Sequence, residues 1–197
     1  MMEKLRDTPS QTVGPFFAYG LTAVQYGYDY SSIADDLLIG PDVDSNRIVI
    51  TGYVYDGQGK VVPDAMIEFL QADEAGTYRS VPLQKERDNF TGFGRMGTGT
   101  QPGSRFTFTT VKPGAIGNQA PHINVILFMR GSLLHVYTRI YFEDEKSNEK
   151  DPILNLVPQT RRNTLIAKRS PRTDITEYRF DIHMQGENET VFLDVKN

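Results

Sequence analysis

From Arg47 onward the chain alternates apolar and polar residues with the period of two that half-buries a β-strand. The pattern starts in RIVITGYVYD (47–56), breaks at the turn sequence DGQGK, resumes in DAMIEFLQAD (64–73) and breaks again at EAGTY. In SRFTFTTVK (104–112), Phe106 and Phe108 alternate with Thr107 and Thr109. Further strands are predicted at HINVILFM (122–129), LLHVYTRIYF (133–142), EYRFDIHMQ (177–185) and ETVFLDV (189–195). Seven segments separated by Gly- or Pro-rich breaks predict a mainly β fold, an antiparallel β-sandwich rather than a succession of β-α-β units. One helix interrupts them at VPQTRRNTLIAKR, opened by Pro158 and turning Leu165 and Ile166 inward. Its Arg161 and Arg162, with Lys168 and Arg169, read as solvated or subunit-facing charges.

Before Arg47 the alternation is absent. TPSQTVGPFFAYGL mixes turn formers with aromatics, and DYSSIADDLLIGPDVDSN accommodates at most a helical turn begun by Ser31 or Ser32. Residues 1–46 are therefore expected to form an N-terminal arm that packs on another surface, and residues 47–197 the β-sandwich. The whole is expected to be one structural domain with one or two short helices, and 197 residues suffice for a sizeable core.

Composition narrows the chemistry. The formal net charge is −4 and the basic residues are scattered, which argues against a nucleic-acid partner. The absence of cysteine removes thiolate metal sites, disulfides and cysteine nucleophiles. The opening MMEKLRDTPSQ is polar, and no run approaches the ~18 apolar residues of a membrane span, so a cytoplasmic protein without a membrane partner is expected. The histidines His122, His135 and His183 lie in different predicted strands with no nucleophile elbow nearby, which disfavours hydrolase chemistry. The glycines of GFGRMGTGTQPG lack the spacing of a phosphate loop and are read as turn formers.

His122 and Asn124 straddle Ile123, so both side chains point to one face of a strand. Two imidazoles at that spacing would suit a metal, whereas a carboxamide is a poor ligand for iron or zinc. The pattern leaves open a metal site or the remains of one.

Taken with TPSQTVGPF, YDGQG, EFLQADEAGTY, FGRMGT, VKPG, RIYFEDE, DPILN and YRFDIHMQGENETVFLDV, the segment APHIN makes the chain resemble the intradiol ring-cleavage dioxygenases from about Thr8 to Val195. Within that family it is similar to the α-type chains of two-chain enzymes. The resemblance implies O2-dependent opening of protocatechuate between its two hydroxylated carbons, giving 3-carboxy-cis,cis-muconate. It also implies assembly of this chain with a β-type subunit into αβ units of a larger oligomer.

In catalytic chains of the family, non-haem Fe(III) is held by a Tyr in a G-x-Y turn, a Tyr just after KPG and the pair in H-I-H. This chain matches the first tyrosine with Tyr78 and the first histidine with His122, but has Ile116 and Asn124 at the other two positions. Two protein donors fall short even of a facial triad. The ligand set is degenerate, no metal is expected in this chain alone, and the iron is assigned to the β-type partner. His122 then reads as a buried strand histidine bonded to a neighbour, Tyr78 as a hydroxyl satisfying a buried acceptor, and Asn124 as a polar group bonded across the old site.

The resemblance further assigns this chain one wall of the partner's substrate pocket, at Thr12, Gly14, Pro15, Phe16 and Arg130. Phe16 stands where related α chains commonly carry tyrosine. The plainer reading of GPFF is packing of both rings on the chain's own core. For Arg130 a surface ion pair competes with a planar fork for the carboxylate of protocatechuate. An autonomous dioxygenase with a reduced ligand set and a non-catalytic β-sandwich binding or assembly module are the alternatives.

Overall fold

Six of the seven alternating segments fold as strands in the computed structural model, which describes residues 8–14, 16–40, 46–79, 90–171 and 174–195. The strands are β1 (Arg47–Gly52), β2 (Val54–Tyr55), β3 (Met66–Gln71), β4 (Phe93–Gly97), β5 (Phe106–Val111), β6 (His122–Phe128), β7 (Val136–Phe142), β8 (Ile166–Arg169), β9 (Thr176–Arg179) and β10 (Ile182–His183). The seventh segment, 189–195, makes only an isolated bridge from Leu193 to Tyr137. Side chains hold it instead: the Thr138 hydroxyl donates to the Val191 carbonyl, and the Thr190 hydroxyl accepts from the His183 amide.

Among the described residues, eight strands form one sheet in the order β4-β3-β6-β7-β8-β9-β1-β5, with β2 and β10 paired separately. The predicted mainly β class holds, but the sheet is mixed and not antiparallel. β1 runs parallel to β9, β7 to β8, and β2 to β10. Alternation fixes which face a side chain takes and leaves the direction of the neighbouring strand undetermined. Parallel pairs need long crossovers, and the 3-10 turns between β7 and β8 supply one.

β8 pairs β7 through Ile166 and Ala167, then β9 through Lys168 and Arg169. It thereby hands the sheet over from one layer to the next, and the sheet folds back on itself. Phe69 of β3 stacks on Phe108 of β5 with ring centroids 3.9 Å apart. The edge strands also meet, the Thr107 amide donating to the Met96 sulfur at 3.1 Å. Between the layers lies the core, including Ile50, Phe69, Phe106, Phe108, Val125, Ile140 and Phe142. A buried aromatic or large aliphatic side chain contributes about 1.5–3 kcal/mol each, so this interior dominates the stability.

Two strands escaped the sequence reading. β4 lies in the glycine-rich stretch taken for turns, and its glycines serve close approach: a Cβ on Gly94 would meet Leu38 Cδ1 at 2.4 Å and the Asp35 carbonyl at 3.0 Å. β8 begins where the predicted helix was to continue. That helix is a 3-10 segment, Gln159–Leu165, which buries Leu165 and leaves Ile166 to open the strand. Arg161 and Arg162 are more than solvated charges, since they donate to the carbonyls of Glu189 and of Val157 and Asn155.

In the N-terminal region a short helix α1 (Phe17–Leu21) and a 3-10 turn (Ala23–Tyr26) bury Ala18 and Ala23. The helical turn expected near Ser31 and Ser32 is not formed. The chain there runs irregularly to bridges at Leu37 with Thr109 and Ile39 with Phe90, and Leu38 enters the core. Among the described residues no helix is long and apolar enough to cross a membrane.

Candidate functional site

β6 turns Ile123, Val125 and Leu127 into the core, which places His122 and Asn124 on the opposite face. His122 is 1% exposed, its Nδ1 lies 2.7 Å from the Ala120 carbonyl, and burial pushes its pKa down. Below it the buried Asp151 carboxylate accepts from the Ala120, Ile153 and Leu154 amides and the Tyr141 hydroxyl. Burial pushes the Tyr141 hydroxyl up to about 12. Asp151 thus fixes the turn whose carbonyl fixes the His122 ring. His122 is the buried, neighbour-bonded strand histidine that the sequence suggested.

Asn124 is fully engaged. Its Nδ2 donates to the Tyr78 hydroxyl at 2.8 Å and to the Leu70 carbonyl at 3.3 Å, while its Oδ1 accepts from Arg139 Nε at 2.9 Å. Arg139 stands directly opposite Asn124 on β7, and its Nη1 donates to Gln119 Oε1 at 2.7 Å. Gln119 in turn exchanges both backbone hydrogen bonds with Ile116. Tyr78 departs from expectation in one respect: it is exposed, and its hydroxyl accepts from Asn124 rather than satisfying a buried acceptor.

The four ligand-matching positions are thus joined in part by a network that suits no metal. Ile116 offers no side-chain donor, Asn124 is a neutral amide already bonded on both sides, and a guanidinium is bonded to it. Among the described residues no group of three or more His, Cys, Asp or Glu converges. Fe(III), a hard cation favouring phenolate and imidazole, does not fit this set.

Thr12 and Arg130, two of the proposed pocket-wall residues, come close elsewhere. The Thr12 hydroxyl accepts from the Gly131 amide at 2.9 Å, so the arm is tied to the β6–β7 turn beside Arg130. Gly131 has φ +88°, a conformation open to glycine that turns the chain sharply after Arg130. Arg130 forms an ion pair with Asp64 through its Nε, and its side chain is 56% exposed. The Gly14 carbonyl accepts from the Phe17 amide, which shapes the arm's turn. Pro15 lies outside the described residues. Phe16 is 78% exposed, whereas Phe17 packs on Phe128 at 5.4 Å, so the two rings of GPFF divide between surface and body.

β6 runs on from Asn124 to Phe128, about 13 Å at the strand rise, and Arg130 lies in the turn beyond it. Thr12 and Arg130 therefore lie apart from Tyr78, Asn124 and His122. Sequence reasoning missed Arg139, Gln119, Asp64 and Asp151. Arg139 could have been found by register, as the position facing Asn124 across a hairpin, while Asp64 gives no local signal.

A family profile described as dioxygenase matches residues 25–186. Over 198 positions, covering 98% of this chain and 100% of the relative, the chain is 52% identical to the protocatechuate 3,4-dioxygenase alpha chain of Burkholderia cepacia. It is 35% identical over 163 positions to the protocatechuate 3,4-dioxygenase beta chain of Burkholderia cepacia, covering 73% of this chain and 66% of that relative. Among solved structures, the dioxygenase domain of a dioxygenase and carbohydrate-binding protein fusion from Streptomyces sp. SirexAA-E aligns with a TM-score of 0.62 at 23% identity. That alignment covers 90% of this chain and 97% of the other, and it bears on the fold alone.

Proposed function

The chain belongs to the dioxygenase family that includes the protocatechuate 3,4-dioxygenase chains, and from that premise we propose that it is the α-type, iron-free subunit of such an enzyme. Near-full-length identity to an alpha chain, together with a beta chain as a second relative, supports a hetero-oligomer of αβ units. The reaction takes protocatechuate and O2 to 3-carboxy-cis,cis-muconate, both oxygen atoms entering the product. Fe(III) of the kind the family uses belongs to the β-type partner, because Ile116, Asn124 and Arg139 do not make a site for it here.

The observation that carries this division of labour is the separation between the two places. Thr12 meets the turn that carries Arg130 beyond the end of β6, away from the degenerate ligand positions near its start, so this face would wall a pocket that is not this chain's own. Asp64 engages the Nε of Arg130, which leaves the Nη edge of the fork to receive the substrate carboxylate. Thr12 ties the arm to Gly131, the residue after Arg130, and the exposed Phe16 would offer an aromatic face to the substrate ring. Closing such a wall removes water, which strengthens the charge contact.

Co-expression with a β-type chain tests the reading. Joint purification with protocatechuate-dependent O2 uptake, one O2 per protocatechuate, is expected. Joint assembly without uptake would favour a binding or assembly module instead.

A further inference from the structure

The loss of two iron-matching side chains does not by itself describe the old site, because something has taken their place. Arg139 is a half-buried guanidinium on β7, in register with Asn124, and it is held at two points by the neutral amides Asn124 Oδ1 and Gln119 Oε1. Among the described residues no carboxylate lies within ion-pair distance of it. Its positive charge is held by dipoles and reaches a carboxylate only through Tyr141, which hydrogen-bonds it and donates to Asp151. The residue it grips is the same Asn124 whose other end is bonded to Tyr78, so the guanidinium is built into the set of positions that match the ligands. Gln119 ties it to the third of those positions, because Gln119 and Ile116 exchange backbone hydrogen bonds.

We propose that Arg139 is an internal cation that excludes metal ions from this chain, so that restoring the missing donors at positions 116 and 124 is not sufficient for iron binding while Arg139 remains. A fixed unit charge opposes a multiply charged cation at short range, and the opposition grows where water is scarce. The arrangement also satisfies the polar groups that a vacated ligand set would leave unbonded, with Asn124 using both amide hydrogens and its oxygen. The inference concerns this chain alone and does not depend on where the catalytic iron of the assembled enzyme lies.

The test compares full-length chains carrying Ile116→Tyr with Asn124→His, in three forms: Arg139 retained, Arg139→Gln and Arg139→Lys. Each is loaded with Fe(II) under argon, oxidised in air and desalted. The readouts are iron per chain by elemental analysis and the visible tyrosinate-to-iron absorption. The Arg139→Gln form is expected to hold iron at least about tenfold more tightly than the other two. Equal iron with Arg139 retained and with Arg139→Gln, whether both full or both empty, overturns the proposal. Full iron in the Arg139→Lys form overturns the charge argument, since lysine keeps the charge and loses only the shape.

Should Ile116→Tyr prevent folding, as judged by a lost thermal transition, the comparison is repeated with Asn124→His alone. That form pairs Tyr78 and His122 with a third donor, and Ni(II) binding by calorimetry is the readout. A gain on Arg139→Gln upholds the proposal, and no gain overturns it.

Discussion

Arg130 is the residue on which the two readings of this chain's surface diverge. An exposed ion pair with Asp64 contributes about 0–1 kcal/mol to stability, and nothing to substrate choice. If Arg130 reads the carboxylate, Arg130→Ala in the assembled αβ enzyme lowers kcat/KM for protocatechuate by about tenfold or more, about 1.4 kcal/mol, with little change for unsubstituted catechol. Equal losses on both substrates indicate pocket shape or assembly. Asp151 makes a different kind of prediction, because its carboxylate is buried and accepts four hydrogen bonds. Asp151→Ala leaves those donors without a partner and is expected to cost about 3 kcal/mol in urea unfolding, against about 1 kcal/mol for Tyr141→Phe. At this scale the sequence was legible where a motif named the atom: His122 and Asn124 were marked by their spacing and Tyr78 by the family resemblance, and Tyr78 and Asn124 do bond to each other. Arg139 and Asp64 carry no motif. Their roles arise from register across a hairpin and from a contact between residues 64 and 130, neither of which a local window contains.

Alternation located most strands because the core needs apolar residues on one face of each. It missed β4, where glycines admit Leu38 at close range, and β8, where only four residues pair and two different neighbours share them. It could not give strand direction, so the parallel pairs came only with the structure. The segment after β7 is clamped by charge: the Asp144 carboxylate accepts from the Tyr178 hydroxyl and from Lys112, and the Lys112 ammonium lies over the Phe142 ring at 5.2 Å. Burial alone would raise the Asp144 pKa, but these hydrogen bonds outweigh it and hold the carboxyl below its ordinary value. A depressed carboxyl stabilises the fold above its unfolded pKa and loses that contribution as pH falls through its folded one. Acid unfolding is therefore expected to lose steepness below about pH 4 in Asp144→Asn. Tyr141 acts with the opposite sign. Raised by burial to about 12 from 10, it stabilises fully below pH 10 and progressively less as pH rises towards 12. Chemical denaturation across that window checks it, with Tyr141→Phe expected to flatten the slope. The arm is the element with most at stake for function. It is tied to the body by Thr12 to Gly131 and by Phe17 on Phe128, so removing residues 1–16 is expected to leave the β-structure folded while impairing assembly or substrate saturation. Circular dichroism with steady-state kinetics of the αβ complex separates the two, and unchanged assembly and kinetics would remove the arm from the account.

Considered as a whole molecule, the chain is a family fold that, under the proposed function, lacks a metal site near the start of β6 and offers a pocket wall beyond its end. Its broad class and its kinship were readable from residue patterns spread over nearly the entire length, and a 52% identity over 98% of the chain agrees with that reading. What needed three dimensions was the separation between the two places, Asn124 near the start of β6 and Arg130 in the turn beyond its end. The central claim is that this chain contributes a pocket wall and no metal. The measurement that tests it most directly is iron content together with protocatechuate-dependent O2 uptake, for the chain alone and for its complex with a β-type subunit. The account predicts no stoichiometric iron, no visible tyrosinate absorption and no uptake for the chain alone, and both iron and uptake for the complex. Close to one iron per chain, with colour and turnover in the absence of any partner, would contradict it.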